Sequence, residues 1–107
     1  VEIIQYHIVL VDPGKTAGSE IAKKRPCVVV SPDEMNRYLR TVVVAPMTTT
    51  VRTYPTRVRV RHSQKTGWIV VDQMTTVDRN CIIRDLGKLS NPDIKNLKSV
   101  LRETYVE

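Results

Sequence analysis

The sequence predicts a mainly β protein closed by a C-terminal helix, an α+β arrangement. Three observations point there. Several short β-branched runs are punctuated by turn residues, one segment alternates strictly, and apolar residues in the tail recur every three or four positions. The 107 residues suit a single domain, 1–107. A chain of this size buries roughly two-thirds of its unfolded surface, which argues against a second domain or a deep tunnel. A homodimer would be a natural way to extend its core.

The first strand is expected at Ile8-Val9-Leu10-Val11, ending at the turn signal Asp12-Pro13-Gly14. Residues 13–25 form a long polar connection of the kind that is commonly functional. Pro26 to Ser31 is the second strand, and its β-branched run predicts burial on both faces. A short helix follows to Tyr38, with Ser31 as cap, Pro32 in the first turn, and Asp33 and Glu34 complementing the dipole. Thr41 to Pro46 reads as a central strand, and Met47 to Pro55 as a loop at the mouth of the sheet.

Arg57-Val58-Arg59-Val60-Arg61 places two valines inward and three arginines outward. His62 to Gly67 reads as the hairpin turn and Trp68 to Asp72 as the returning strand, with a further short strand at Cys81 to Arg84. In the tail, Asn91 is the expected cap and Pro92 the first helical residue. Ile94, Leu97, Val100, Leu101 and Tyr105 make the buried stripe. Together these elements give a small twisted antiparallel sheet or open barrel with one short and one terminal helix.

The net charge of +6 favours a polyanionic partner such as nucleic acid. At 41% apolar and 26% charged, the chain is of globular composition. Cys27 and Cys81 both lie in apolar runs, so free thiols in a reducing cytosol are expected rather than a disulfide framework. With no signal-type segment and no apolar run of spanning length, a cytoplasmic location is expected.

No metal site and no cofactor are expected. The two histidines, His7 and His62, are far apart, and no Cys-x-x-Cys pair or acidic cluster occurs. Gly14-Lys15-Thr16 ends like a phosphate-binding loop, but Val9 stands where the pattern needs its first glycine. A joint acid–base role for the two histidines is one option.

Another option lies in the segments after the long loop and after the third strand. There Arg25 offers a planar fork of donors and Thr48 a hydroxyl for a phosphate. Such donors would stabilise the charge that develops when a 2′-hydroxyl attacks the neighbouring phosphodiester. The competing account makes Arg25 a salt-bridge partner of Glu20 and Thr48 a turn cap.

The chain resembles the MazF/PemK family of bacterial toxins from Gln5 to Leu101. The resemblance rests on Gly18-Ser19-Glu20-Ile21, Arg25-Pro26-Cys27-Val28-Val29-Val30-Ser31-Pro32, Asn36, Val43-Val44-Ala45-Pro46-Met47-Thr48, Tyr54-Pro55, Gly67 to Gln73, Thr76-Val77-Asp78 and Leu86-Gly87. It implies an SH3-like small barrel of the CcdB/PemK type and a homodimer. It implies metal-independent, sequence-specific cleavage of single-stranded RNA, leaving 2′,3′-cyclic phosphate and 5′-hydroxyl ends. It also implies a MazE-like antitoxin whose acidic C-terminal tail occupies the RNA groove. By that resemblance Arg25 and Thr48 are catalytic and Glu20 is the candidate proton acceptor. Ser19, Lys23, Lys24, Thr49, Thr50, Arg52, Tyr54, Asp72 and Gln73 are the implied RNA contacts.

The chain departs from the family pattern at several positions. Val70 and Ser19 stand where one branch has the arginine and histidine that work with the acid matching Asp72. A mechanism with Asp72 as base therefore does not carry over, and Asp72-Gln73 reads as a structural or RNA-contacting pair. Pro13-Gly14-Lys15-Thr16 replaces a common Leu-Asp-Pro-Thr, and Thr75 and Cys81 replace arginines. The alternative function is a CcdB-like, non-enzymatic poison of DNA gyrase. Such chains lack the Arg-Pro loop with its later Pro-x-Thr and typically end in Trp-Gly-Ile, whereas this one ends Tyr105-Val106-Glu107. A degenerate toxin that only binds its antitoxin is a third option.

Overall fold

The computed structural model describes residues 1–15, 23–51 and 54–106. Seven strands and two helices follow in the order β1 (His7–Val11), β2 (Arg25–Val29), α1 (Asp33–Tyr38), β3 (Thr41–Thr48), β4 (Arg57–His62), β5 (Lys65–Val70), β6 (Thr75–Asp78), β7 (Ile82–Lys88) and α2 (Asn91–Tyr105). The sheet order is β4-β5-β3-β2-β1-β7, with β6 also paired to β3, and all pairs are antiparallel. The mainly β expectation holds.

Burial alternates along the strands because successive side chains leave a strand on opposite faces. Val9, Val11, Cys27, Val29, Val42 and Val44 point to one core, with Ile3, Cys81 and Ile82. Ile8, Val28, Ala45, Val58, Val60 and Ile69 point to the other, with Leu97 of α2. The continuous apolar runs of β2 and β3 are thus covered on both faces. Helix α2 lays Ile94, Leu97, Val100 and Leu101 on the second core with Leu97 fully buried, whereas Tyr105, expected in the same stripe, is 54% exposed and its hydroxyl donates to the Val71 carbonyl at 2.8 Å.

Several boundaries differ from the sequence expectation. Strand β3 continues through Met47 and Thr48, which pair with Ile69 and Trp68 rather than entering a loop. The hairpin turn tightens to Ser63-Gln64, at φ 51° and 65°, because His62 already pairs with Lys65. Two left-handed residues match the twist of adjoining strands, and here neither is glycine. Strand β6 was not anticipated, and β7 runs four residues past Arg84. The cap of α2 is Ser90, whose hydroxyl accepts from the Asp93 amide at 3.2 Å, so Asn91 lies inside the helix.

Ser31 does not cap α1, where Pro32 holds the cap position without a side-chain bond. Its hydroxyl instead donates to the Asn36 amide oxygen at 2.5 Å and accepts from the Val43 amide at 3.1 Å. Asn36 in turn donates to the Ser31 carbonyl at 2.9 Å. Both residues are buried, so the α1 corner is tied to β3 by a fully paired polar cluster. Asn36→Ala leaves those groups unpaired, and we expect a loss of about 2–3 kcal/mol of stability, read as a lower urea midpoint. An unchanged midpoint would show that the cluster contributes nothing net.

Candidate functional site

Cys27 pairs with Pro46 in antiparallel register, so Arg25 and Thr48 lie two residues further along, towards the same end of the β2–β3 pair. Both line a groove of about 470 Å³ together with Thr49, His62, Lys65 and Leu86. Arg25 is exposed at the start of its strand. Thr48 is held more firmly, because its Oγ1 accepts from the Thr50 amide at 3.1 Å. A hydroxyl that accepts one hydrogen bond keeps its own proton free to donate. The turn-capping account of Thr48 is therefore correct as geometry and compatible with a donor role.

Gly67 fixes how closely β5 approaches this end of β3. A Cβ at that position would sit 3.2 Å from the Thr48 carbonyl oxygen. Opposite it, the curled sheet brings its two ends together. His62 at the end of β4 packs its Cε1 3.7 Å from where a Cβ on Gly87 of β7 would stand, and Gly87 has φ +113°. A side chain there would be strained, so glycine suits this crossing.

The remaining expected site residues divide between places. Thr49 lines the groove and Thr50 is exposed next to it. Lys23 borders an adjacent hollow of about 560 Å³ that also reaches Arg25, and Lys24 is exposed beside it. Tyr54 and Asp72 gather instead around Arg57, at the opposite end of β4 from His62. The Arg57 guanidinium lies 5.1 Å from the Tyr54 ring centroid, and its Nε is 3.9 Å from Asp72. The Thr56 hydroxyl donates to Asp72 at 2.9 Å, and Gln73 is exposed alongside. Arg59 and Arg61 point outward as expected, but Arg57 does not, because its side chain is only 12% exposed. Its buried Nε has no hydrogen-bond partner among the described residues. Ser19, Glu20 and Arg52 lie outside the described residues, and with them the proposed Arg25–Glu20 pair.

The two histidines are not joined. His7 Nδ1 lies 2.7 Å from one Asp85 carboxylate oxygen, and the other oxygen accepts from the Gly87 amide at 2.7 Å. His62 alone lines the groove, and no hydrogen bond or ion pair holds its ring among the described residues. The sequence offers it only as a turn residue in a joint acid–base role with His7, and that pairing does not form. The signal was present, since His62 shares the inward parity of Val58 and Val60. No cluster of three or more His, Cys, Asp or Glu forms among the described residues. Nor is any described helix long and apolar enough to cross a membrane.

Residues 4–105 match the family described as the PemK-like, MazF-like toxin of type II toxin-antitoxin systems. The chain belongs to this family. Over 100 residues it is 30% identical to the Endoribonuclease MazF of Staphylococcus saprophyticus, covering 88% of this chain and 83% of that protein. A mycobacterial endoribonuclease in complex with its cognate antitoxin superposes with a TM-score of 0.80 at 24% identity, over 94% of this chain and 92% of that one. A MazE–MazF crystal structure from Deinococcus radiodurans gives 0.81 at 19% identity, over 97% and 96%. At these identities the solved structures establish the shared fold. It is the curled, mostly β sheet with a C-terminal helix of MazF/PemK toxins.

One thiol, Cys27, borders the adjacent hollow together with Lys23 and Arg25. Burial pushes Cys27 up to about 11 from 9.0, and the Arg25 charge offsets this only in part. The folded thiol holds its proton where the unfolded one has lost it, so this contribution to stability is present below pH 9 and lost as pH rises towards 11. We expect native Cys27 to resist iodoacetamide at pH 7.5 and to react on unfolding, as read by mass spectrometry. Rapid native labelling would contradict the burial.

Proposed function

We propose that this PemK/MazF-type chain is a toxin endoribonuclease. It cuts single-stranded RNA, chiefly mRNA, at a short sequence motif without a metal ion, leaving 2′,3′-cyclic phosphate and 5′-hydroxyl ends. The observation that carries this reading is the convergence of Arg25 and Thr48 on one groove from the ends of adjacent strands. A guanidinium fork and a strand-held hydroxyl can meet two oxygens of one phosphate. Donors fixed before the reaction stabilise the five-coordinate charge without reorganising as it forms.

The sequence-similar relative is named an endoribonuclease, which supports RNA as the polyanion implied by the +6 charge. Glu20 remains the proposed proton acceptor. Lys23, Lys24, Thr49 and Thr50 flank Arg25 and Thr48 and are proposed to guide the RNA backbone, together with Ser19 and Arg52. Tyr54 is 54% exposed and offers a stacking face for a base, while Asp72 acts mainly through Arg57, with Gln73 at the margin. The protein is proposed to act in the cytoplasm as a homodimer and to be neutralised by an antitoxin. Solved toxin–antitoxin complexes of the same fold support that partner.

The test is incubation with a long RNA in excess EDTA, followed by mapping of the new ends. Cleavage should persist, and Arg25→Ala should lose about 10²-fold or more in rate. Full activity in that variant would remove Arg25 from the chemistry. Intact RNA together with blocked gyrase supercoiling would replace this reading with the gyrase-poison one. RNA affinity should fall by roughly 0.7 log units per tenfold rise in salt for each phosphate contacted, and a flat response would argue against a backbone-tracking groove.

A further inference from the structure

We propose that His62 is a catalytic residue of this groove, the general acid that protonates the departing 5′-oxygen. The inference deepens the ribonuclease reading and rests on it. Cleavage needs more than charge stabilisation, because an alkoxide is a poor leaving group at neutral pH. Guanidinium and ammonium side chains are in general poor proton donors near neutrality. The hydroxyls of Thr48 and Thr49 hydrogen-bond but do not release a proton readily. Among the residues lining the groove, His62 carries the imidazole, the side-chain type suited to proton transfer near neutrality.

Three observations support it. His62 follows the inward-facing Val58 and Val60 on β4, so the fold turns its ring into the groove rather than away from it. The tight Ser63-Gln64 turn and the cross-strand pair with Lys65 fix the backbone, and Gly87 of β7 gives the ring a flat surface to rest on. The ring nitrogens are uncommitted among the described residues, in contrast to His7, which Asp85 engages. His62 thus sits in the same cavity as Arg25 and Thr48 and is held by packing, not by a competing polar partner.

The step balances as follows. The 2′-oxygen forms a bond to phosphorus as its proton leaves to a carboxylate or to solvent water. The bond from phosphorus to the 5′-oxygen breaks, and its electron pair goes to that oxygen. The imidazolium of His62 delivers its proton there and is recharged from water. The products are the 2′,3′-cyclic phosphate and the 5′-hydroxyl.

A sulfur-substituted substrate isolates this role. In an RNA carrying sulfur in place of the bridging 5′-oxygen at the mapped cleavage site, the leaving group is a thiolate that needs no proton. His62→Ala should cut ordinary RNA about 10²-fold more slowly than the wild type, yet cut the sulfur-bridged RNA within a few-fold of it. Arg25→Ala should lose activity on both. An equal loss of His62→Ala on both substrates would overturn the acid role, and so would full activity on ordinary RNA. His62→Gln keeps a polar side chain of similar size but cannot donate a proton at neutral pH, and it decides the matter if the alanine variant unfolds early in a melt. Wild-type protein that cuts neither RNA would end the ribonuclease reading and this inference together. Wild-type cleavage with an unimpaired His62→Ala would end this inference alone.

Discussion

Strand β3 pairs with β2 along one edge, and along the other with β6 over Thr41–Val44 and with β5 over Met47 and Thr48. One eight-residue strand therefore hydrogen-bonds to three others. The sheet must change direction where β6 gives way to β5, and the groove opens at the end where that change leaves Thr48. Arg25 is carried there by its register with β3, and Gly67 by the approach of β5 to the Thr48 carbonyl. Weakening the β3 ladder would move Arg25 and Thr48 together. That explains why the buried Ser31–Asn36 cluster, remote from the groove, ties down the other end of the same strand through Val43.

The sheet is covered on both sides, and the two coverings differ. One core is closed by Ile3, Cys81 and Ile82 from short segments. The other is closed by the long stripe of α2, with Leu97 at its centre. Burying a Leu or Val side chain is worth about 1.5–3 kcal/mol, so most of the driving force lies in these two layers and little in the exposed groove rim. The rim can then carry cations without a desolvation penalty. Exposed arginines and lysines gain little from intramolecular ion pairs and remain available to a polyanion.

The two histidines show how placement decides chemistry. His7 is held against Asp85, which also ties the Gly87 amide, so that cluster shapes β7. His62 packs against the same Gly87 from the other side of the cleft, and its ring nitrogens have no partner among the described residues. The joint acid–base system that was one option for the pair does not form, and the two are one structural and one groove residue. Arg57 makes the same point in reverse. It alternates with Arg59 and Arg61 in sequence, yet it folds inward between Tyr54 and Asp72.

The local chemistry of the chain was legible without coordinates. Two-residue alternation set the faces of β4, a continuous β-branched run marked β2 as covered on both faces, a three-and-four repeat set the apolar stripe of α2, and the charge balance pointed to a polyanion. Those features depend on neighbours in the chain and on side-chain size. The short motifs around Arg25 and Thr48 also marked the candidate chemistry and the family. The ends of β3 and the existence of β6 were not legible, because each depends on a partner strand distant in sequence. Nor could the sequence join His62 to Arg25 and Thr48. Their meeting requires the sheet to curl until β4 reaches β7, a result of twist summed over six paired strands that no local pattern encodes.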